Sequence, residues 1–175
     1  LQIDGGKMSK SLGNIYTLDT LKEKGIDPLA YKIFCFSSHY RNKLNFTFEG
    51  AVASNTSLIR LKEGYQKHLE GTEKVEEDII KGFEEKFHKA INDDLNMPIA
   101  MSIVWDVIRY PKKSQDLAKL LLKFDEVLGL EIDKKLEIKE EIPEEILKLA
   151  EERKAARENK DWELSDKIRD RIKEK

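Results

Sequence analysis

TEKVEEDIIKGFEEKFHKAINDDLNMPIAMSIVWDVIRY, residues 72–110, is the stretch on which the fold turns. Val75, Ile79, Ile80, Phe83, Phe87 and Ile91 recur mostly at three- and four-residue steps, with Glu and Lys between them. That spacing predicts an amphipathic helix over 72–92. Asn96 and Pro98 then restart the chain into a second helix, Ile99 to Tyr110, which Pro111 ends. An Asn side chain can accept from the free N–H groups of a first turn, and Pro belongs inside that turn. Asp94 and Asn96 both read here as capping residues rather than catalytic ones. Two apolar stripes joined by so short a connection fold back on each other, as in a helical bundle.

Outward from this pair the helical period continues. Ser114 to Leu128 is a third helix, closed by Gly129 as a C-cap. Toward the N-terminus, Phe48, Val52, Leu58, Leu61 and Tyr65 mark a helix within Phe46 to His68, and Asp27-Pro28 opens another through Ser38. Residues 1–16 read as strand, then loop. Residues 131–141 are polar with little periodicity and read as a linker. Pro143 then opens a helix with Ile146, Leu149 and Ala150 on one face, and from Asp161 onward Leu164, Ile168 and Ile172 fall four apart. The expected class is mostly α: an antiparallel helical bundle over 17–130, entered from a loop and followed by a small helical pair in 142–175.

Composition narrows the function. Charged residues make up 38% of the 175, with net charge −2, so any contact with nucleic acid must use local patches. Residues 1–70 hold 10 Lys and Arg against 7 Asp and Glu, whereas 71–100 hold 4 against 8. From Arg153 to Lys175 the balance is again basic, 9 against 6. Cys35 is the only cysteine and lies in the apolar run Ile33 to Phe36, which fits a small hydrophobe in a reducing cytoplasm. His39, His68 and His88 do not fall at ligand spacing with it, so no metal site is expected in the chain. No stretch approaches 18 apolar residues, and no membrane span is expected.

The chemistry-bearing loop is Gly5-Gly6-Lys7-Met8-Ser9-Lys10-Ser11-Leu12-Gly13-Asn14. Its glycines permit close approach to a ligand, and two ammonium groups and two hydroxyls lie within five residues. Such a set can follow the phosphates of a nucleotide, with lysines as point charges and serines and backbone N–H groups as donors. Similar compositions occur in ordinary surface loops, and the glycine spacing is not that of a P-loop.

The order of these residues is more telling. Lys7 to Ser11 resembles the complete KMSKS signature of class I aminoacyl-tRNA synthetases. Three further phrases are similar to those of the cysteinyl-type family: Ser38-His39-Tyr40-Arg41-Asn42-Lys43-Leu44-Asn45-Phe46, Asp93-Asp94-Leu95-Asn96-Met97-Pro98-Ile99-Ala100, and Arg157-Glu158-Asn159-Lys160-Asp161-Trp162-Glu163-Leu164-Ser165-Asp166. Met97 stands where that family usually has Thr.

The resemblance implies activation of cysteine by Mg-ATP and its transfer to tRNA-Cys. Lys10 and Lys7 would be the catalytic pair, with Lys10 stabilising the departing pyrophosphate, and Lys7, Met8, Ser9, Lys10 and Ser11 would bind ATP and hold the loop. It also implies a tRNA-reading set of Arg153, Arg157, Lys160, Trp162 and Asp166. Trp162 would stack on an anticodon base, with Arg157 and Asp166 supplying polar readout. From spacing alone, Trp162 packed between two helices and His39 to Arg41 ending a helix remain open readings. The resemblance further implies that 1–16 ends a catalytic domain, that 17–130 contacts the tRNA stem, and that 142–175 begins an anticodon-binding module. The family's nucleotide-binding half and its zinc site would precede Leu1, and the chain reads as an inactive, monomeric, cytoplasmic piece. Other readings are a related ligase joining cysteine to an amino-sugar, a methionyl-type synthetase, and a plain helical scaffold.

Overall fold

The fold is seen in a computed structural model, which describes residues 2, 3, 6, 7, 9, 15–134, 149, 152–154, 156, 157 and 161–173. Helices dominate, as the periodicity predicts. Two compact units divide the chain, Leu1–Glu137 and Ile138–Lys175.

In the first unit a small sheet precedes the bundle. Strand β1 (Gln2–Ile3) pairs antiparallel with β2 (Gly6–Lys7) and parallel with β3 (Asn45–Phe46). Helix α1 (Leu18–Glu23) is held by a reciprocal cap, in which the Thr17 and Thr20 side chains each accept from the other's backbone N–H. It contributes Leu21 to the core but is too short to show a period in the sequence. Helix α2 (Pro28–Phe36) starts at Asp27, whose carboxylate accepts from the Leu29 N–H at 2.7 Å. It ends two residues before the expected Ser38, where the Ser37 hydroxyl donates back to the Phe34 carbonyl at 2.6 Å. Cys35 is half-buried.

The bundle proper is α3 (Phe48–Leu69), α4 (Glu77–Asn92), α5 (Met97–Arg109) and α6 (Gln115–Leu128). Asn96 caps α5 and Ser114 caps α6, and Gly129 closes α6 in the left-handed conformation. These ends fall where the sequence puts them. The start of α4 does not. Residues 72–76 were expected to be helical, but Thr72 bridges Ser114 and the Glu73 N–H donates to the Lys113 carbonyl at 3.0 Å. That bridge holds the segment extended until Glu76. Gly71 makes it possible, because a Cβ there would come within 2.2 Å of the Lys113 carbonyl carbon.

Packing is aliphatic with one aromatic pair at its centre. Phe87 of α4 and Phe124 of α6 are fully buried and stacked, ring centroids 4.0 Å apart. Asn92 is followed by Asp94 and Leu95, both at positive φ, which turn the chain into α5.

His68, near the end of α3, is fully buried. Its Nε2 lies 2.9 Å from the Val107 carbonyl, and its Nδ1 accepts from the Ser114 N–H at 3.4 Å. Both contacts suit the neutral ring protonated on Nε2. Burial, then the nearby Lys113 ammonium, lowers its pKa from the ordinary histidine value.

The unfolded chain binds the proton first as pH falls, so this histidine's contribution is complete above about pH 6.5 and declines below it. Urea unfolding should therefore show a lower midpoint at pH 5.5 than at pH 7.5. In His68→Leu that difference should shrink, with roughly 1–3 kcal/mol lost at neutral pH from the two orphaned backbone groups. An acid-induced loss equal in both proteins would remove the histidine from the account.

Candidate nucleotide and nucleic-acid sites

Most of the Lys/Ser loop lies outside the described residues, including Met8, Lys10 and Ser11. What the structure gives is its base. Lys7 has its backbone in β2, paired with Gln2, and Ser9 is partly exposed and engaged in a contact. The hairpin is fixed from the other side as well, since the Gln2 N–H donates to the Leu44 carbonyl at 2.8 Å and Ile3 pairs with Phe46. Below it, Tyr16, Phe34, Phe46 and Phe48 meet edge to face, centroids 4.7–5.6 Å apart. A cleft of about 210 Å³ opens beside this cluster, lined by Ile3, Tyr16, Leu18, Tyr31 and Phe46 among others.

Two of the phrases singled out in the sequence come together. Between α2 and β3, the Tyr40 hydroxyl donates to Asp94 Oδ1 at 2.7 Å, and Arg41 donates through Nε to Oδ2 at 2.7 Å and through Nη2 to Oδ1 at 3.2 Å. His39 Nδ1 accepts from the Arg41 N–H, which leaves Nε2 facing Asp94 Oδ2 at 3.8 Å. The ring of His39 stacks on that of Tyr40, and the Arg41 guanidinium lies 5.2 Å from the Tyr40 ring centre.

Arg41, then Tyr40, holds the Asp94 carboxyl below the usual carboxylate range, and Asp94 in turn raises the Tyr40 phenol. Tyr40 and Arg41 therefore do not serve last-turn carbonyls of a helix, and Asp94, unlike Asn96, caps nothing. A separation of more than 50 residues left no signal for this pairing in the sequence. Asp94 stands in the turn between α4 and α5 with a left-handed backbone.

In the second unit, helix α7 (Trp162–Lys173) begins at Asp161, whose carboxylate accepts from the Leu164 N–H at 3.0 Å. Its buried residues are Ser165 and Ile168, while Leu164, expected in the apolar stripe, is 46% exposed. The side chain of Ile172 is not among those described. Trp162 is 60% exposed, so it is not packed between helices. Asp166 shares its face and pairs with Arg169 at 2.9 Å. Of the preceding segment the structure describes 149, 152–154, 156 and 157 as helical, with Leu149 and Ala156 buried and Arg157 exposed. Arg153 is half-buried and its Nε lacks a partner among the described residues. Lys160 lies outside them. Among the described residues no group of His, Cys, Asp and Glu is arranged to hold a metal, and no helix is long and apolar enough to cross a membrane.

Comparison with known proteins accounts for this order of phrases. The chain is 39% identical over 166 residues to cysteine–tRNA ligase 1 of Burkholderia lata, a match covering 95% of the chain. It is 37% identical over 178 residues to the cysteine–tRNA ligase of Opitutus terrae, and 33% identical over 189 to that of Protochlamydia amoebophila, each covering 98% of the chain. This chain is related to the cysteine–tRNA ligases. It spans 34%, 36% and 39% of those three proteins, so it corresponds to a segment of them. No family model matches the chain.

Within the first unit, the contact of Asp94 with Tyr40 and Arg41 sets an orientation more than it adds stability, because all three groups are exposed. Asp94→Asn is expected to release the Arg41 Nε–H, seen as loss of its protected cross-peak in nitrogen-15 spectra, with little movement of the urea midpoint. An Arg41 signal identical in the variant would mean the contact is not populated in solution.

Proposed function

We propose that the chain supplies the ATP-phosphate loop and tRNA-binding helices of a cysteine–tRNA ligase. Such an enzyme activates cysteine with ATP and transfers it to tRNA-Cys. The observation that carries this reading is the similarity to cysteine–tRNA ligases along 95–98% of the chain, with an intact Lys7 to Ser11 signature at its start.

In the adenylation step the cysteine carboxylate attacks the α-phosphate of ATP and pyrophosphate leaves. Mg-ATP is the substrate. Lys10 and Lys7 place positive charge against the phosphates, and Ser9, Ser11 and the Met8 backbone hold the loop around them. No proton need be moved by a side chain in that step, which agrees with the absence of a base from the signature.

The tRNA-reading set is Trp162 with Arg157, Asp166, Arg153 and Lys160. The exposure of Trp162 supports it, since an uncovered indole on a helix end gives an unpaired base a face to stack on. Asp166 accepts from base amino groups, and its pairing with Arg169 holds it in position. The cytoplasm and a monomeric state suit this role.

Binding of the chain to tRNA-Cys, followed against salt, tests the proposal. Both Trp162→Ala and a changed anticodon are expected to weaken binding, on the order of tenfold for loss of one stacked base. Equal, salt-labile binding to every RNA, indifferent to Trp162→Ala, would withdraw the reading role from α7.

A further inference from the structure

We propose that Tyr40, Arg41 and Asp94 are positioning residues for the Lys7 to Ser11 loop, fixing through β3 and β1 where the loop's base stands on the bundle. The inference rests on the phosphate-binding reading of that loop and adds to it residues that lie outside the signature.

The segment 37–44, which joins α2 to β3, has no buried residue, so packing alone does little to fix it. Its start is held locally, by the Ser37 hydroxyl on the Phe34 carbonyl and by the Asn42 N–H on the His39 carbonyl at 2.8 Å. At its end Leu44 rests, partly buried, against the core. Between these points the segment is fastened to the α4–α5 turn by three hydrogen bonds from Tyr40 and Arg41 to the Asp94 carboxylate. A guanidinium fork and a phenol on one carboxylate admit few orientations, even where exposure keeps the free energy small.

From Arg41 the route to the loop is short. The Leu44 carbonyl accepts from the Gln2 N–H at 2.8 Å, and Asn45 and Phe46 then pair as β3 with Gln2 and Ile3 of β1. The same two residues of β1 pair on their other side with Lys7 and Gly6 of β2. Each strand is two residues long, too short to hold a position of its own. Burial of Ile3 and Phe46 sets the depth of the sheet, and the segment leaving Arg41 sets its placement along the bundle.

The α4–α5 turn carries an independent sign. Asp94 and Leu95 have φ of 52° and 54°, a conformation that glycine takes with less strain. The Leu95 and Asn96 N–H groups close α4 on the Ile91 and Ala90 carbonyls at 3.1 and 3.0 Å, and a glycine permits that closure equally. Leu95 is 52% exposed, so burial does not offset its backbone. What a glycine at position 94 lacks is the carboxylate that Tyr40 and Arg41 engage. Strain kept without burial marks geometry held for a site. At that site Lys7 and Lys10 act as point charges on the departing pyrophosphate, and a misplaced charge loses much of its effect.

The test uses the whole chain labelled with nitrogen-15, with magnesium pyrophosphate as the probe. Asp94→Asn and Arg41→Gln should each speed hydrogen exchange of the β1–β3 ladder amides roughly threefold, the scale of one exposed charged contact. Exchange of the buried Val104 amide in α5 and the urea midpoint should stay as in the wild type. Pyrophosphate affinity should fall by a similar factor in each. For Asp94→Asn that fall opposes the sign given by charge alone, since removing a carboxylate favours an anion. The two substitutions combined should add little to either, because they remove one contact. Asp94→Glu should recover part of the affinity.

A result in which only one of the two quantities moves, ladder exchange or affinity, overturns the inference, as does a result in which neither moves. Equal acceleration at Val104 overturns it too, since that is a general loss of stability. So does a loss in Arg41→Gln beside a gain in Asp94→Asn, which is charge acting directly on the anion. If the wild-type chain does not bind pyrophosphate, or binds it as well after Lys7→Ala with Lys10→Ala, the phosphate reading of the loop fails and this inference falls with it.

Discussion

A buried imidazole with two backbone partners holds the end of the bundle together. His68 has no exposure, so each of its nitrogens must find a partner inside the protein, and the available groups are the Val107 carbonyl and the Ser114 N–H. Those two belong to α5 and to the cap of α6, and His68 itself belongs to α3. One side chain thereby ties three helices at one level. The extended segment after α3 then has only one direction available, along Lys113 and Ser114, and it can approach that closely only because residue 71 is glycine. The late start of α4 follows from that arrangement.

The sheet at the other end of the chain is fixed by a comparable sequence of contacts. β1 pairs with β2 at the base of the Lys/Ser loop and with β3, so the hairpin's position depends on the segment between α2 and α3. That same segment contains Tyr40 and Arg41, which close on Asp94 in the turn between α4 and α5. The loop's base is thus referred to the bundle by two sets of contacts, one through backbone pairing and aromatic packing and one through a charged side-chain contact. Exposed ion pairs contribute little free energy, yet one carboxylate engaged by three donor atoms allows few relative orientations. The left-handed backbone at Asp94 and Leu95 is consistent with a turn held in place from outside.

What could be read in the sequence divides along the same physical line. Periodic apolar spacing and capping residues are local, and they located α2, α3, α5 and α6 with ends correct to a few residues, because Asp27, Asn96, Ser114 and Gly129 act on their own neighbours. Non-local contacts left no trace. Thr72 to Glu76 have helix-compatible residues and were recruited into a bridge by Lys113. Asp94 looked like a cap and is instead the acceptor for Arg41. For the candidate site, the Lys7 to Ser11 loop was legible as a string, and Trp162, which spacing left open to packing between helices, is exposed.

The cleft between α3 and α5 shows why charge counts say little about partners in a chain of this kind. With net charge −2, the average surface repels RNA, and the acidic run around α4 adds to that. Lys22, Lys81, Lys112, Lys119, Lys123, Lys134 and Lys167 face a carboxylate, whereas among the described residues Lys24, Lys43, Lys67, Lys74, Lys86 and Lys89 form no such pair, so the balance changes from one part of the surface to the next. Arg60, one turn from Gly64 on α3, and Arg109, next to Ile108 on α5, line one cleft where α3 and α5 come together at Gly64 and Ile108. Charge gathered this way owes its position to the close approach of two backbones, which no count of residues along the sequence records.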